Sequence, residues 1–411
     1  MTMEQTVCEL FAGVGGFRLG FERQSKKWRT VWADQWEPGA ARQWAFECYE
    51  RHFARDLFSR TEIRNEDISA VDKSALPDFN VLTGGFPCQD YSVARTLHDS
   101  HGIEGKKGVL WWQIRDILEA KRPAFVLLEN VDRLLKSPAT QRGRDFGIML
   151  ACFRDLRYGV EWRVVNAADY GAAQRRRRVF VFAWRDDTVW AKRAADAIAK
   201  PAAWLARKSG GGFMARTFPC AIAEGDVRES ALPRDVADVS DGYSFPFESA
   251  GVMIGGEVRT ARVVPAKEPA TPIRAVLVGD APASLVLRGE RLEKFRYLKG
   301  AKRISRTAAN GHEYTFSEGA IPFPDPVDAP ARTMLTSEGT TNRSTHVVAD
   351  PRTGALRLLA PVEAERLQGF DDDWTREMPE RMRYFCMGNA LVVPMVTRMA
   401  RTLAGIVAKE P

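Results

Sequence analysis

Residues 6–20 read Thr6-Val-Cys-Glu-Leu-Phe-Ala-Gly-Val-Gly-Gly-Phe-Arg-Leu-Gly20. A short apolar, β-favouring run gives way to glycines at 13, 15 and 16, and then to a segment suited to a helix. Glycines placed directly after a strand let the backbone turn sharply and come close to a ligand, as in nucleotide-binding strand-to-helix turns. Taken alone, the turn leaves NAD, flavin and S-adenosylmethionine equally open, beside the plain reading of a flexible turn.

Working outward, runs of the same kind recur: TVCELF (6–11), TVWAD (30–34), FNVLTG (79–84), AFVLLEN (124–130) and VFVFAW (179–184). Segments with helical periodicity, such as Gly39–Phe53 and Val109–Lys121, separate them. Strands without strict apolar/polar alternation, spaced by helices, predict a parallel sheet covered on both faces, an α/β doubly wound fold. Such a fold places ligands beyond the carboxyl ends of its strands. Phe11 to Gly16, Gly84 to Gln89 and Glu129 all follow a predicted strand directly.

After about residue 186 the chain becomes rich in Gly, Pro and Ala, with strand-like stretches AVLVG (275–279) and SLVLRG (284–289). Residues 186–328 are expected to form an irregular, mostly β insertion. Within it, Arg288 to Arg306 holds eight Lys/Arg against two Asp/Glu. From 329 to 411 helical character returns, and MGNALVVPMVTRMARTLAGIVAKE is expected to be a helix packing back on the first domain.

Composition narrows the function classes. The 411 residues are 45% hydrophobic and 27% charged, the balance of a globular protein. A net charge of +7 leans weakly towards a polyanionic partner. Six scattered cysteines, without C-x-x-C or a helical H-x-x-x-H, argue against a zinc site or a disulfide framework, so no metal is expected. The first residues, MTMEQTVCELFAG, have no signal-peptide pattern, and no run of about 18 apolar residues would span a membrane. A cytoplasmic protein is expected.

Three further motifs carry chemistry. In Gly84-Gly-Phe-Pro-Cys-Gln-Asp-Tyr-Ser92, Cys88 follows a strand and a proline and lies among glycines and polar residues. Lone cysteines are usually inert, buried small hydrophobes. This setting can instead keep a thiol accessible and lower its pKa, as a nucleophile requires. Glu129-Asn130-Val131 ends the apolar strand 124–128. A carboxyl there either caps the next turn or, in a desolvated pocket, acts as an acid. Gln174-Arg-Arg-Arg-Arg-Val-Phe180 is a basic run entering a strand. A solvated face is its plain reading, but alternation along a strand would turn Arg176 and Arg178 to one side. Two guanidiniums there suit a phosphate or a base edge.

These motifs occur in one order, and there the chain resembles the DNA cytosine-5 methyltransferase family. Pro330-Ala-Arg-Thr333 resembles the segment after that family's variable region. Leu359-Ala-Pro-Val-Glu-Ala-Glu-Arg-Leu-Gln-Gly-Phe370 and Gly388-Asn-Ala-Leu-Val-Val393 resemble its final motifs. The resemblance covers 1–185 and 329–411. It implies a Rossmann-like S-adenosylmethionine-dependent catalytic domain formed by those two stretches, with 186–328 as an inserted target-recognition domain. Phe11, Ala12, Gly13, Gly15 and Gly16 would surround S-adenosyl-L-methionine. Trp36 would stack on its adenine, Asp67 and Ile68 would contact the ring, and Pro87, Leu110, Asn389 and Ala390 would close the pocket. Where the family usually places a ribose-binding Glu, this chain has Gln35, which leaves Asp34, Glu37 or Gln35 itself to hold the hydroxyls.

The resemblance also implies a mechanism. The Cys88 thiolate adds to carbon 6 of a flipped cytosine while Glu129 serves ring nitrogen 3. Arg178 holds the carbonyl oxygen, and Arg176 and Gln174 support the site. The implied partner is double-stranded DNA, with Arg288–Arg306 and Thr307–Tyr314 as candidates for groove contacts. Without long regulatory modules, the chain resembles a bacterial or phage modification enzyme that acts on DNA as a monomer, paired with a cognate restriction endonuclease. The alternatives are an RNA methyltransferase sharing this catalytic domain, against which the long insertion argues, and a non-catalytic DNA-binding homologue, which would need neither Cys88 nor Glu129. A dinucleotide-dependent oxidoreductase would explain only the Gly-rich turn.

Overall fold

The computed structural model of the chain describes residues 3–54, 61–86, 110–223, 225, 227–307 and 311–411. They form two compact units. The first comprises Met1–Tyr170, Arg177–Glu268 and Val393–Pro411, and the second Gly171–Arg176 and Pro269–Val392.

The first unit is built on a ten-stranded sheet. Its strands are β1 (Thr6–Leu10), β2 (Arg29–Asp34), β3 (Glu62–Arg64), β4 (Val81–Gly84), β5 (Phe125–Asn130), β6 (Tyr158–Asn166) and β7 (Arg177–Arg185). With β9 (Arg228–Ala231), β10 (Ala250–Ile254) and β11 (Glu257–Ala261), they lie in the order β3-β2-β1-β4-β5-β7-β6-β10-β11-β9. A short pair, β8 (Cys220–Ile222) with β12 (Val263–Pro265), stands outside this sheet. Strands β1 to β5 are parallel, as their apolar runs predict. From β7 onward the pairing is antiparallel, so VFVFAW does not continue the parallel half.

All four residues of β4 and the first four of β5 are buried, because helices cover both faces. The strand order reverses between β1 and β4, and such sheets bind ligands beyond the carboxyl ends of the strands at that point.

The stretch 186–328 is divided between the two units. Strands β10, β11 and β9 extend the main sheet past β6, so 186–268 belongs to the first unit. The join is tight: Gly251 pairs with Trp162, whose ring fills the space a side chain at 251 would need. Trp162 meets Phe146 and Phe247 edge-on, at centroid distances of 5.2 and 5.6 Å.

The second unit contains the ribbon β13 (Lys302–Thr307) with β14 (Glu313–Glu318), and the pair β15 (Val347–Ala349) with β16 (Leu356–Leu358). Neither AVLVG nor SLVLRG is a strand. Single helical turns occupy Ile273–Ala275 and Ala283–Leu285, and their apolar side chains fill two small cores instead. Buried Arg357 joins Asp350 and Glu363 at 2.9 and 2.8 Å, tying β16 to the helix Pro361–Gln368.

The C-terminal stretch is two helices, Glu380–Asn389 and Val393–Val407. Pro394 explains the break, since proline is tolerated in a helix's first turn but not inside it. Helix Val393–Val407 packs on helix Gly16–Gln24, where a Cβ on Gly20 would lie 2.6 Å from Val396. Among the described residues no single helix is long and apolar enough to cross a membrane.

Candidate active site

The turn after β1 carries positive φ at Phe11 (53°), Gly13 (56°) and Gly15 (89°), a region L side chains rarely adopt. It is pinned to the end of β2. Ala12 N donates to Asp34 O at 3.0 Å, and Gly13 N donates to the side-chain oxygen of Gln35 at 2.6 Å. The two glycines have different surroundings. Nothing lies within 4 Å of where a Cβ on Gly13 would stand, whereas one on Gly15 would meet the ring of Phe53. Gly16 opens the following helix with Gly15 as its cap. Beneath the turn, buried Glu9 accepts from Tyr49 Oη at 2.8 Å, and burial pushes its carboxyl up to about 7.

Acidic and aromatic groups collect at the ends of β2 and β3. Asp34 is 3% exposed, and burial pushes its carboxyl up to about 7. Half-buried Glu37 is raised for the same reason. Trp36 is half-buried between them. Asn65 Nδ2 donates to Gln35 O at 2.5 Å, and Gln43 bonds both backbone groups of Glu37 at 2.8 Å, so three amide side chains fix this corner. Asp67 caps the turn Ile68–Ala70 by accepting from Ser69 N and Oγ at 3.0 and 2.8 Å, and Ile68 is buried. Leu110, half-buried, opens the helix Leu110–Lys121.

At the end of β5, Glu129 Oε1 and Arg178 Nε form an ion pair at 2.7 Å. Antiparallel pairing sets Glu129 opposite Phe180, which brings Arg178, two residues earlier on β7, within diagonal reach. A Cβ on Gly85 would lie 3.3 Å from Glu129 Oε2, so the carboxyl rests against bare backbone. Asn130 Nδ2 donates to Phe86 O at 2.9 Å while its oxygen accepts from Val131 N at 2.8 Å. The Gly84-Gly85-Phe86 segment is thereby tied to β5. Pro87 and Cys88 lie outside the described residues.

Gln174 and Arg176 belong to the second unit. Strand β7 begins at Arg177, so the alternation expected to turn Arg176 and Arg178 to one side does not reach Arg176. Its buried guanidinium instead donates to Met334 O at 3.1 Å, Gly388 O at 2.9 Å and Asn389 O at 3.3 Å. Gln174 accepts from Met334 N at 3.0 Å, and Arg175 and Ala173 bond Ala331 backbone at 2.8 Å. Gly388 packs so closely on Thr336 that no side chain fits. Asn389 is exposed and Ala390 half-buried. These contacts fasten the Pro330–Thr333 segment and the Gly388-Asn389 turn to one short strip of chain.

The first unit thus gathers Phe11 to Gly16, Trp36, Asp67, Ile68, Glu129 and Arg178 at the carboxyl ends of its parallel strands or immediately beside them. The second holds Gln174, Arg176, Asn389 and Ala390 together. Sequence reasoning gave no role of their own to Asn65 and Asn130, the latter quoted only as part of Glu129-Asn130-Val131, and their amides orient the loops. Their only signal was position, each at or just past the end of a strand.

Comparison with known proteins fits this arrangement. The family model for C-5 cytosine-specific DNA methylase matches residues 5–405. The Type II methyltransferase M.Sau3AI of Staphylococcus aureus is 46% identical over 405 residues, covering 97% of this chain and 95% of that protein. M.NgoBI of Neisseria gonorrhoeae, another Type II methyltransferase, is 35% identical over 179 residues, 44% of this chain and 50% of its own. The Entamoeba histolytica methyltransferase EhMeth superposes with a TM-score of 0.58 at 14% identity, over 98% of each chain. A Spodoptera frugiperda DNMT2 mutant gives 0.59 at 11%, over 98% of this chain and 99% of its own. At such identities these two structures speak for the fold alone.

Proposed function

The chain belongs to the C-5 cytosine-specific DNA methylase family and is a DNA cytosine-5 methyltransferase; we propose that it acts on specific sequences in double-stranded DNA through a covalent adduct between Cys88 and a cytosine turned out of the duplex. The family and fold imply S-adenosylmethionine, and the first unit's residues suit it. Gly13 leaves open space above the turn, while Asp34, Trp36 and Asp67 offer carboxyl and aromatic groups at the neighbouring strand ends. In this reading Phe11 to Gly16, Trp36, Asp67, Ile68 and Leu110 hold the cofactor, joined by Pro87, Asn389 and Ala390 on the strength of the resemblance. When bound, it supplies the methyl group that carbon 5 takes up.

Carbon 5 of cytosine is a poor nucleophile inside an aromatic ring, so the protein must break the conjugation. Addition of the Cys88 thiolate at carbon 6 does this, provided the electron density arriving at ring nitrogen 3 is neutralised. Glu129 serves that nitrogen with a proton or strong hydrogen bond, and Arg178 holds the adjoining carbonyl oxygen. After methylation a base takes the proton from carbon 5, and elimination frees Cys88. The base is reached only by flipping, at a cost of a few kcal/mol, which phosphate contacts of a chain with net charge +7 offset.

The observation supporting this reading most is the Glu129–Arg178 pair against the bare backbone of Gly85, three residues along the chain from Cys88. It sets side by side the carboxyl and the guanidinium that the proposed mechanism uses. Gln174 and Arg176 act in the proposal by holding the second unit's loops. We place the protein in the cytoplasm as the monomeric modification partner of a restriction endonuclease, in keeping with its Type II relatives.

Expression in a methylation-free host, followed by a genome-wide map of 5-methylcytosine, tests the proposal. The expected map shows one short sequence context with the intact chain and none with Cys88→Ser. A Cys88→Ser protein that methylates normally contradicts it.

A further inference from the structure

The ribbon β13–β14 has one exposed face. Its register puts Arg303, Ser305 and Thr307 on one face with Ser317, Thr315 and Glu313 directly opposite, and all six are exposed. The other face is dressed. Ile304 and Phe316 are half-buried, Arg306 lies over the Phe316 ring at 4.1 Å, and Lys302 pairs with Glu318 at 3.3 Å. The free face therefore has no apolar side chain, four hydroxyls, the Glu313 carboxylate at the end away from Arg303, and one arginine whose guanidinium has no ion pair or hydrogen bond among the described residues. A two-stranded ribbon is marginal by itself, yet this one is firmly rooted. Arg343 pairs with Glu318 at 3.0 Å and donates to Leu298 O and Gly300 O at 2.7 and 3.2 Å, while Lys302 Nζ donates to Leu298 O at 2.9 Å.

A rooted ribbon whose uncovered face offers only polar groups is poorly suited to a protein partner, whose interface core needs apolar area. Its neighbourhood is basic, with eight Lys/Arg against two Asp/Glu in 288–306. Two strands about 4.8 Å apart with their side chains fit the ~12 Å major groove of B-DNA and not the ~6 Å minor groove. Arginine's forked donors match the guanine edge there, and hydroxyls serve either kind of base.

We infer that the Arg303 face of β13–β14 enters the major groove of the substrate duplex and that Arg303 is a specificity-determining residue that reads a guanine. The inference rests on the DNA-methyltransferase reading above and narrows target recognition to one strand face. Half of the basic stretch 288–306 has a different place: it is the helix Gly289–Lys299, which the ribbon uses as its footing.

The test uses the full chain and the sequence context that the wild-type methylation map defines. Arg303→Ala and Arg381→Ala, the latter an exposed charge-matched control, are assayed on a duplex carrying that sequence and on duplexes altered one position at a time. Cofactor binding by calorimetry checks folding. The expected result is a loss of discrimination at one G·C position by about 5- to 150-fold for Arg303→Ala, with cofactor affinity and the control unchanged. Equal weakening on every duplex with a shallower salt dependence makes Arg303 a phosphate contact and overturns the inference. An unchanged preference overturns it as well. If the wild-type chain methylates no duplex DNA, the methyltransferase reading itself falls, and that outcome is recognisable because no preference exists to be relaxed.

Discussion

Glu129 and Arg178 hold one another at 2.7 Å, and the proposed mechanism gives each a different task once cytosine is present. General-acid assistance is typically worth about 10²–10⁴-fold. Glu129→Gln is therefore expected to lower kcat by that factor while leaving cofactor affinity, measured by calorimetry, where it was. A kcat within threefold of wild type would remove Glu129 from the chemistry. Both residues could be picked out in the sequence because each borders an apolar run that had to be a strand. The amides of Asn65, Gln43 and Asn130 could not, since what an amide bonds depends on which loops the fold brings alongside it. Gln35 is an intermediate case. Its departure from the family's usual Glu was visible, but its bond to Gly13 N depends on strands β1 and β2 lying side by side.

At the scale of the element, the strand-to-helix turn after β1 makes the clearest prediction. An L residue in the left-handed region costs about 1–2 kcal/mol, so Ala at either Gly13 or Gly15 strains the backbone. Only Gly15→Ala also drives a methyl into Phe53. The denaturation midpoint should fall clearly further for Gly15→Ala than for Gly13→Ala, with cofactor affinity reduced in both. Equal midpoints would contradict the packing described for Gly15. Sequence reasoning missed strand β6 for a physical reason. Strand β6 interrupts its apolar run with Glu161 and Arg163, both fully buried, and Glu161 is accommodated by Phe213 N and Met214 N at 2.9 and 3.1 Å. Those partners lie some fifty residues away, so nothing local marks the strand. AVLVG misled in the opposite sense: its apolar residues Val276, Leu277 and Val278 follow the single turn Ile273–Ala275 and serve as core side chains. Pro394, by contrast, carried the helix break in plain view.

Over the whole molecule, buried carboxyls set the pH at which the fold is most stable. Burial pushes Glu9, Asp34 and Glu161 up to about 7. Between the ordinary carboxyl range near 4 and pH 7, the folded chain keeps protons that the unfolded chain has released, so stability falls as pH rises through that window. Asp350 works the other way. The backbone N–H of Thr353 and the Arg357 guanidinium lower it to about 2, so its contribution is present above pH 4 and lost as pH drops towards 2. Stability should therefore peak near pH 4, and the decline from there to about pH 7.5 should flatten in a protein carrying Asp34→Asn and Glu161→Gln. A denaturation midpoint that climbs steadily to pH 8 would contradict this. The domain plan shows why composition alone drew the boundaries differently. The Gly- and Pro-rich change at 186 was real, but Gly251 against Trp162 binds the following strands to the main sheet, and the division into compact units falls at 268.

The proposed chemistry runs through a transient bond between Cys88 and carbon 6 of cytosine. The most direct measurement is to incubate the protein and the methyl donor with a duplex carrying 5-fluorocytosine in its recognised sequence, then look for a denaturation-resistant protein–DNA band. Fluorine at carbon 5 blocks the final proton removal, so the account predicts a stable adduct that requires the donor and maps by peptide mass to Cys88. Absence of that band, from a preparation that methylates the ordinary duplex, would contradict it.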